Sequence, residues 1–292
     1  LYKFFENAGL ERIRFKTDVL LKEMLVEGSN KIFYKHLFDA AGYKKNRQNF
    51  IELFKRIWQY FETDDNETFT VRIWGESGIM PDPGTVNTPE EIRNFFRDKW
   101  KKWWQLRAES LPPIKWSYSG VRPVNMPERR IAGLIELVNK LGRAPLDFLF
   151  QQADKSASPD DFLDFLEKTF VCNNPVWNRF IIKREMPAPA SVIGKDRASD
   201  IIINIILPAL SAYTKIIKKP SMANFFEKVV KCQKALQENR TIKIAFHRWF
   251  MPPDRGKIIV HNAVSNQGVI HIFNNYCDKC SFDCNECKIN RL

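Results

Sequence analysis

The chain is 292 residues long, 44% of them apolar, with a net charge of +12. That apolar content is enough to bury a core and excludes a disordered chain. Cysteine is sparse outside a C-terminal cluster and no charged-then-apolar leader precedes the first helix, which favours a reducing, cytoplasmic setting over a disulfide-built secreted one. Because it opens on Leu1 and not on Met, the chain is expected to be the remainder of something longer. The positive charge is uneven: residues 91–143 hold 12 lysines and arginines against 5 acids, and residues 213–257 hold 11 against 3. Concentrated charge of this kind attracts polyanions through counterion release, although a solvated basic surface has the same composition.

In chain order, helical periodicity covers residues 9–27, 30–41 and 46–61. FTVRIW (69–74) alternates as a strand does, and the Pro- and Gly-marked GIMPDPG (78–84) leaves open two helical lobes with a boundary near 78–88. TPEEIRNFFRDKWKKWWQL then predicts a helix opened by a capping box between Thr88 and Glu91, with Pro89 at its first position. Its apolar stripe runs through Ile92, Phe95, Phe96, Trp100, Trp103 and Trp104, while Arg93, Arg97, Lys101 and Lys102 fall mainly elsewhere. Past the loop SLPPIKW (110–116), Asn125-Met-Pro-Glu128 predicts another capped helix start, closing at Gly142.

Ser158 predicts a third start, before FLDFLEKTF. After the loop EMPAPASVIG (185–194), GKDRASDIIINIILPAL predicts a helix capped by Asp196 or Ser199, with a kink near residues 204–208 before Pro208. The apolar stretch 201–213 falls short of the roughly 18 to 20 residues that span a bilayer, so no membrane partner is expected. Ser221 predicts a helix with Phe225, Val229, Cys232 and Leu236 on one face, Cys232 serving as a small core residue. TIKIAF (241–246) is the second strand candidate, MPPDRGK (251–257) the last loop, and NQGVIHIFNNYC a helix with Val269, Ile272, Phe273 and Tyr276 on one face. The expected fold is mostly α: an irregular multi-helix domain over 1–276, followed by a short Cys-rich metal knuckle over 277–292.

Two constellations carry chemistry. Cys277, Cys280, Cys284 and Cys287 read C-x2-C-x3-C-x2-C, and thiolates two residues apart in a tight turn can share one zinc at about 2.3 Å. The separation of the two pairs is shorter than in zinc ribbons, so an iron–sulfur cluster and plain thiols stay open beside a structural zinc. Four thiolates leave no open coordination position, which makes such a zinc structural. The second constellation is YSGVRPVNMPERRIAGLI (118–135), with Arg122, Asn125, Arg129 and Arg130 at a helix start, and its companion with Lys195 and Arg197. Arginine in a first turn opposes the helix dipole unless an anion is bound there. Salt bridges to Asp or Glu on neighbouring elements, Asp200 among them, are the structural alternative, and the two motifs are candidates to face one another. His271 can be a ligand or base, although such a histidine more often simply packs. GxxxxGK[ST], GxGxxG, GxSxG and HExxH are all missing, and no reaction is legible.

RPVNMPERRIAGL (122–134), GKDRASDIIINIILPAL (194–210) and NQGVIHIFNNYC (266–277), preceded by GYKKNRQNF (42–50), resemble the bacterial family called domain of unknown function 2851 over most of the chain. The matching positions are Arg122, Asn125, Arg129, Arg130, Gly194, Arg197, Asp200, Gln267, Gly268 and His271. The resemblance implies a Cys-rich tail and, in complete members, a further N-terminal region rich in strands, acids and histidines. This chain would then be the C-terminal helical portion, with any hydrolytic centre outside it. The expected function is a binding module that holds nucleic acid or another polyanion through basic helices and Arg122, Asn125, Arg129, Arg130, Lys195 and Arg197. The alternative is the C-terminal part of a metal-dependent nuclease or hydrolase, and a protein partner for the basic faces is a third reading.

Overall fold

Apolar residues recurring three and four apart dominate the chain, and nearly all of them resolve into helices. The computed structural model describes residues 2–82, 84, 87–107, 112–250, 253–258 and 260–278. It forms two units, each assembled from separated stretches: one from Leu1–Val26, Gln152–Phe165 and Ile202–Leu292, the other from Glu27–Gln151 and Leu166–Ile201. Residues 78–88 lie within the second unit.

In that second unit, α2 (Ser29–Ala41) and α3 (Arg47–Trp58) pack on each other. Ile32, Phe33, Leu37 and Phe38 meet Phe50, Leu53, Phe54 and Ile57 at helical spacing, and the Phe38 and Phe54 rings are 5.5 Å apart. Asp65 caps α4 (Asn66–Ser77) by accepting from the Thr68 N–H at 2.7 Å, and Gly78 ends it at φ +67°. FTVRIW is therefore helical, not a strand. Phe69, Val71, Ile73 and Trp74 are all buried, and tertiary packing overrides their β propensity. The helix α5 (Glu90–Leu106) has Pro89 as its cap residue, and Thr88 makes no side-chain cap, so the predicted capping box does not form. Phe95 and Phe96 set their edges against the stacked rings of Trp74 and Trp177, whose centroids are 5.2 Å apart.

A 3-10 turn (Pro123–Asn125) leads into α6 (Pro127–Leu141), which ends at Gly142 with φ +68°. Met126, not Asn125, is the cap residue, because the Asn125 amide is used elsewhere. The helices α7 (Pro145–Lys155) and α8 (Pro159–Phe170) follow, and Ser158 Oγ accepts from the Asp161 N–H as predicted. The strands are β1 (Phe180–Ile181) and β2 (Arg184–Glu185), an antiparallel pair with Phe180 opposite Glu185.

The helix α9 (Lys195–Ile201) continues through a π-helical turn (Ile202–Ile206) into α10 (Leu207–Ile216). The widened turn sits where the kink was expected, just before Pro208, whose missing N–H breaks the regular ladder. The unbroken run Lys195–Ile216 is 22 residues, longer than the apolar stretch suggested. By length and composition it could cross a membrane, but 61% of its most apolar window is buried in the protein.

In the first unit, α1 (Tyr2–Glu27) joins α10, α11 (Pro220–Cys232), α12 (Arg240–Trp249) and α13 (Ala263–Ile272), the last extended by a π-helical turn (Phe273–Cys277). Lys219, not Ser221, stands at the cap of α11. Phe226, Val229 and Val230 are its buried residues, while Cys232 is half-buried beside Asp160 and Leu236 lies beyond the helix. TIKIAF is helical too, with Ile242, Ala245 and Phe246 packed against Phe5, Val269, Ile272 and Phe273. Tyr276, expected on that face, is exposed. The cores of α1 and α13 approach through glycine: a Cβ on Gly268 would lie 1.8 Å from the Phe5 carbonyl oxygen, and one on Gly9 would lie 2.0 Å from that of Val264.

Candidate anion-binding site

The turn between α2 and α3 is the floor of a cavity of about 370 Å³ in the second unit. Tyr43 adopts φ +47°, which a bulky side chain rarely does, and the strain is held by the Asn46 N–H donating to Gly42 O at 3.0 Å. Buried Asn46 then fastens the turn to the segment ahead of α6: its amide donates to Ser117 O at 2.9 Å and accepts from the Ser117 N–H at 2.8 Å. Lys45 Nζ donates to Ser119 O at 2.5 Å. Gly120, at φ +63°, lets this segment pass; a Cβ there would lie 2.8 Å from Lys45 Nζ.

Gly42, Tyr43, Lys44, Lys45, Asn46, Gly120, Val121, Arg122 and Asn125 line the cavity, so it presents three cations and no acid. Lys44 and Arg122 are exposed and make no ion pair among the described residues. Behind Tyr43 stand two more guanidiniums. Arg130, only 6% exposed, donates to Tyr43 Oη at 2.8 Å and to Asn125 Oδ1, and its Nε is buried without a partner among the described residues. The Arg197 guanidinium lies 4.2 Å from the Tyr43 ring centre, donates to Ala40 O at the end of α2, and has Asp200 at 3.7 Å. Burial pushes the Arg130 pKa down to about 10, with Arg197 and Arg129 adding repulsion, so the side chain keeps its charge at neutral pH.

Of the six predicted anion-binding residues, Arg122 and Asn125 thus line the cavity, and Arg130 and Arg197 meet on Tyr43 from two different motifs. Arg129 points elsewhere. It is fully buried, donates to Ala190 O at 2.8 Å and Ser191 O at 3.0 Å, and burial lowers its pKa to about 10. Lys195 is exposed at the start of α9 and does not line the cavity. Neither Arg129 nor Arg130 has a carboxylate within ion-pair distance among the described residues; Asp200 pairs instead with Arg197, three residues before it on the same helix. Sequence reasoning missed Tyr43, Lys44 and Lys45 as site residues, although they sit in the motif GYKKNRQNF; a Gly-Tyr-Lys-Lys turn between two helices was the available signal.

Cys277 ends the π-helical turn after α13, where its Sγ accepts from the Trp249 indole N–H at 3.2 Å. Cys280, Cys284 and Cys287 lie outside the described residues. Among the described residues no group of three His, Cys, Asp or Glu side chains is arranged to hold a metal. His271 is in the first unit, hydrogen-bonded to Asn275 and 3.7 Å from Glu11, and burial holds its pKa below the ordinary value. Gln267 accepts there from Arg12 Nε at 2.9 Å and Lys16 Nζ at 3.2 Å.

A family described as protein of unknown function (DUF2851) matches residues 1–240, a span that contains every residue lining the cavity. No curated protein and no solved structure matches the chain.

Proposed function

We propose that this chain, which belongs to the DUF2851 family of unknown function, binds a polyanion in the cavity above Tyr43, with the phosphodiester backbone of nucleic acid as its foremost ligand. The observation that carries the reading is the cavity's charge: Lys44, Lys45 and Arg122 line it, no acid does, and Arg130 and Arg197 back it. Holding several cations together without an equal number of carboxylates costs repulsion and desolvation, and an incoming phosphate offsets both. The strained Tyr43 backbone fits the same reading, since strain persists where function requires a fixed geometry. Tyr43 and Asn125 add neutral donors and acceptors that would position a phosphate oxygen without changing the charge.

Fluorescence anisotropy with a labelled duplex oligonucleotide tests this. The double variant Lys45→Ala/Arg122→Ala should bind about tenfold or more weakly, while Lys195→Ala, on the exposed start of α9, should bind within about twofold of the parent. Equal losses in both variants would mean a diffuse basic surface and not a site.

A further inference from the structure

The helix α5 carries a second feature that the cavity does not absorb. Its buried side is occupied by Ile92 and Phe96, and Trp103 lies so close to Gly75 that a Cβ there would meet the indole at 2.1 Å. On the flank beside it, Arg93, Arg97, Trp100, Trp104 and Arg107 recur at intervals of four, three, four and three residues, which aligns them along one line of the helix. Trp104 is 47% exposed, its ring 5.8 Å from that of Trp100, and the Arg107 guanidinium lies 3.4 Å from its ring centre. Among the described residues Arg97 bonds the neutral amide of Asn94 and Arg93 Nε is buried without a partner, while Lys101, with 74% of its side chain exposed, lies 4.0 Å from Asp98.

Exposed Trp104 beside half-buried Trp100, interleaved with arginines, offers flat apolar surface for stacking together with charge for a phosphate backbone. A duplex shields its bases inside the stack, so only a strand with free bases can use both features at once. We infer that this flank of α5 is a stacking platform for single-stranded nucleic acid, with Trp100 and Trp104 taking bases and Arg93, Arg97 and Arg107 taking phosphates. The inference rests on the nucleic-acid reading above but not on the cavity.

The test compares a labelled single-stranded oligothymidine with a duplex of the same length, using the parent chain, Trp100→Ala/Trp104→Ala and Lys45→Ala/Arg122→Ala. The expected result is that the tryptophan variant loses on the order of tenfold or more in single-strand affinity with an unchanged salt slope, and loses little duplex affinity. Trp104→Phe, which keeps a ring, should recover most of that loss and guards against a folding defect. Undiminished single-strand binding by the tryptophan variant overturns the platform. Loss confined to the tryptophan variant, with the lysine–arginine variant unaffected, overturns the cavity and keeps the platform. Binding of neither nucleic acid overturns both, as does binding of anionic phosphatidylglycerol vesicles alone, which would make the strip a lipid-surface contact.

Discussion

Replacing Gly268 by alanine isolates the close crossing of α1 and α13. The new methyl carbon would sit 1.8 Å from Phe5 O, 2.7 Å from Phe5 C and 3.1 Å from Gly9 N, all of them backbone atoms that no rotamer change can move. Ordinary contact needs about 3.5 Å or more. The two helices must therefore separate by more than an ångström, loosening the packing of Phe5 against Val269 and Ile272. Overpacking of this kind costs about 1–3 kcal/mol and more when backbone is displaced. Alanine returns at most about 1 kcal/mol of helix propensity, leaving a net loss of about 2 kcal/mol. Gly194→Ala is the matched control, because no atom lies within 4 Å of its Cβ position and its φ is not positive. It should change stability by no more than about 0.5 kcal/mol. Urea denaturation followed by circular dichroism reads both through the midpoint. A Gly268→Ala protein as stable as the parent would refute the packing assigned to α1 and α13.

Tyr43→Phe keeps the ring against both guanidiniums but removes the acceptor that Arg130 uses, and should cost about 1–3 kcal/mol in the same denaturation assay. Burial, with Arg12 adding to it and Glu11 opposing, lowers the folded-state pKa of His271 below its unfolded value. The unfolded chain then binds more protons between the two values, so stability is lost as pH falls below about 6.5. His271→Gln should flatten that dependence between pH 7.5 and 5.5. Metal analysis of anaerobically purified protein addresses the tail: one zinc per chain without visible absorbance is expected if Cys277, Cys280, Cys284 and Cys287 close around it, and the Trp249 N–H on Cys277 Sγ is a bond that favours a thiolate. Iron and sulfide would replace the zinc with a cluster, and no metal would refute both.

Most of the helices were legible because their apolar residues repeat at helical spacing, as Phe50, Leu53, Phe54 and Ile57 do. The misreadings have local causes. FTVRIW and TIKIAF alternate branched and polar residues within six positions, too short a window to separate period 2 from period 3.6, and the burial that decides between them is long-range. At Asn125 the side chain has a choice between the helix N–H groups and the Arg130 guanidinium, and the charged donor wins. The cavity was half legible. Adjacent Arg129 and Arg130 look equivalent in sequence, but consecutive residues on a helix point about 100° apart, so one turns to the carbonyls of Ala190 and Ser191 and the other to Tyr43. The positive φ that brings the Tyr43 ring over both arginines leaves no trace in residue identity.

The salt dependence of duplex binding tests the central claim most directly. Each phosphate contact contributes about 0.9 to the slope of log affinity against log salt. The account predicts that Lys44→Ala/Lys45→Ala/Arg122→Ala lowers the slope by about 2 to 3 between 50 and 200 mM salt. A slope equal to that of the parent chain would contradict it.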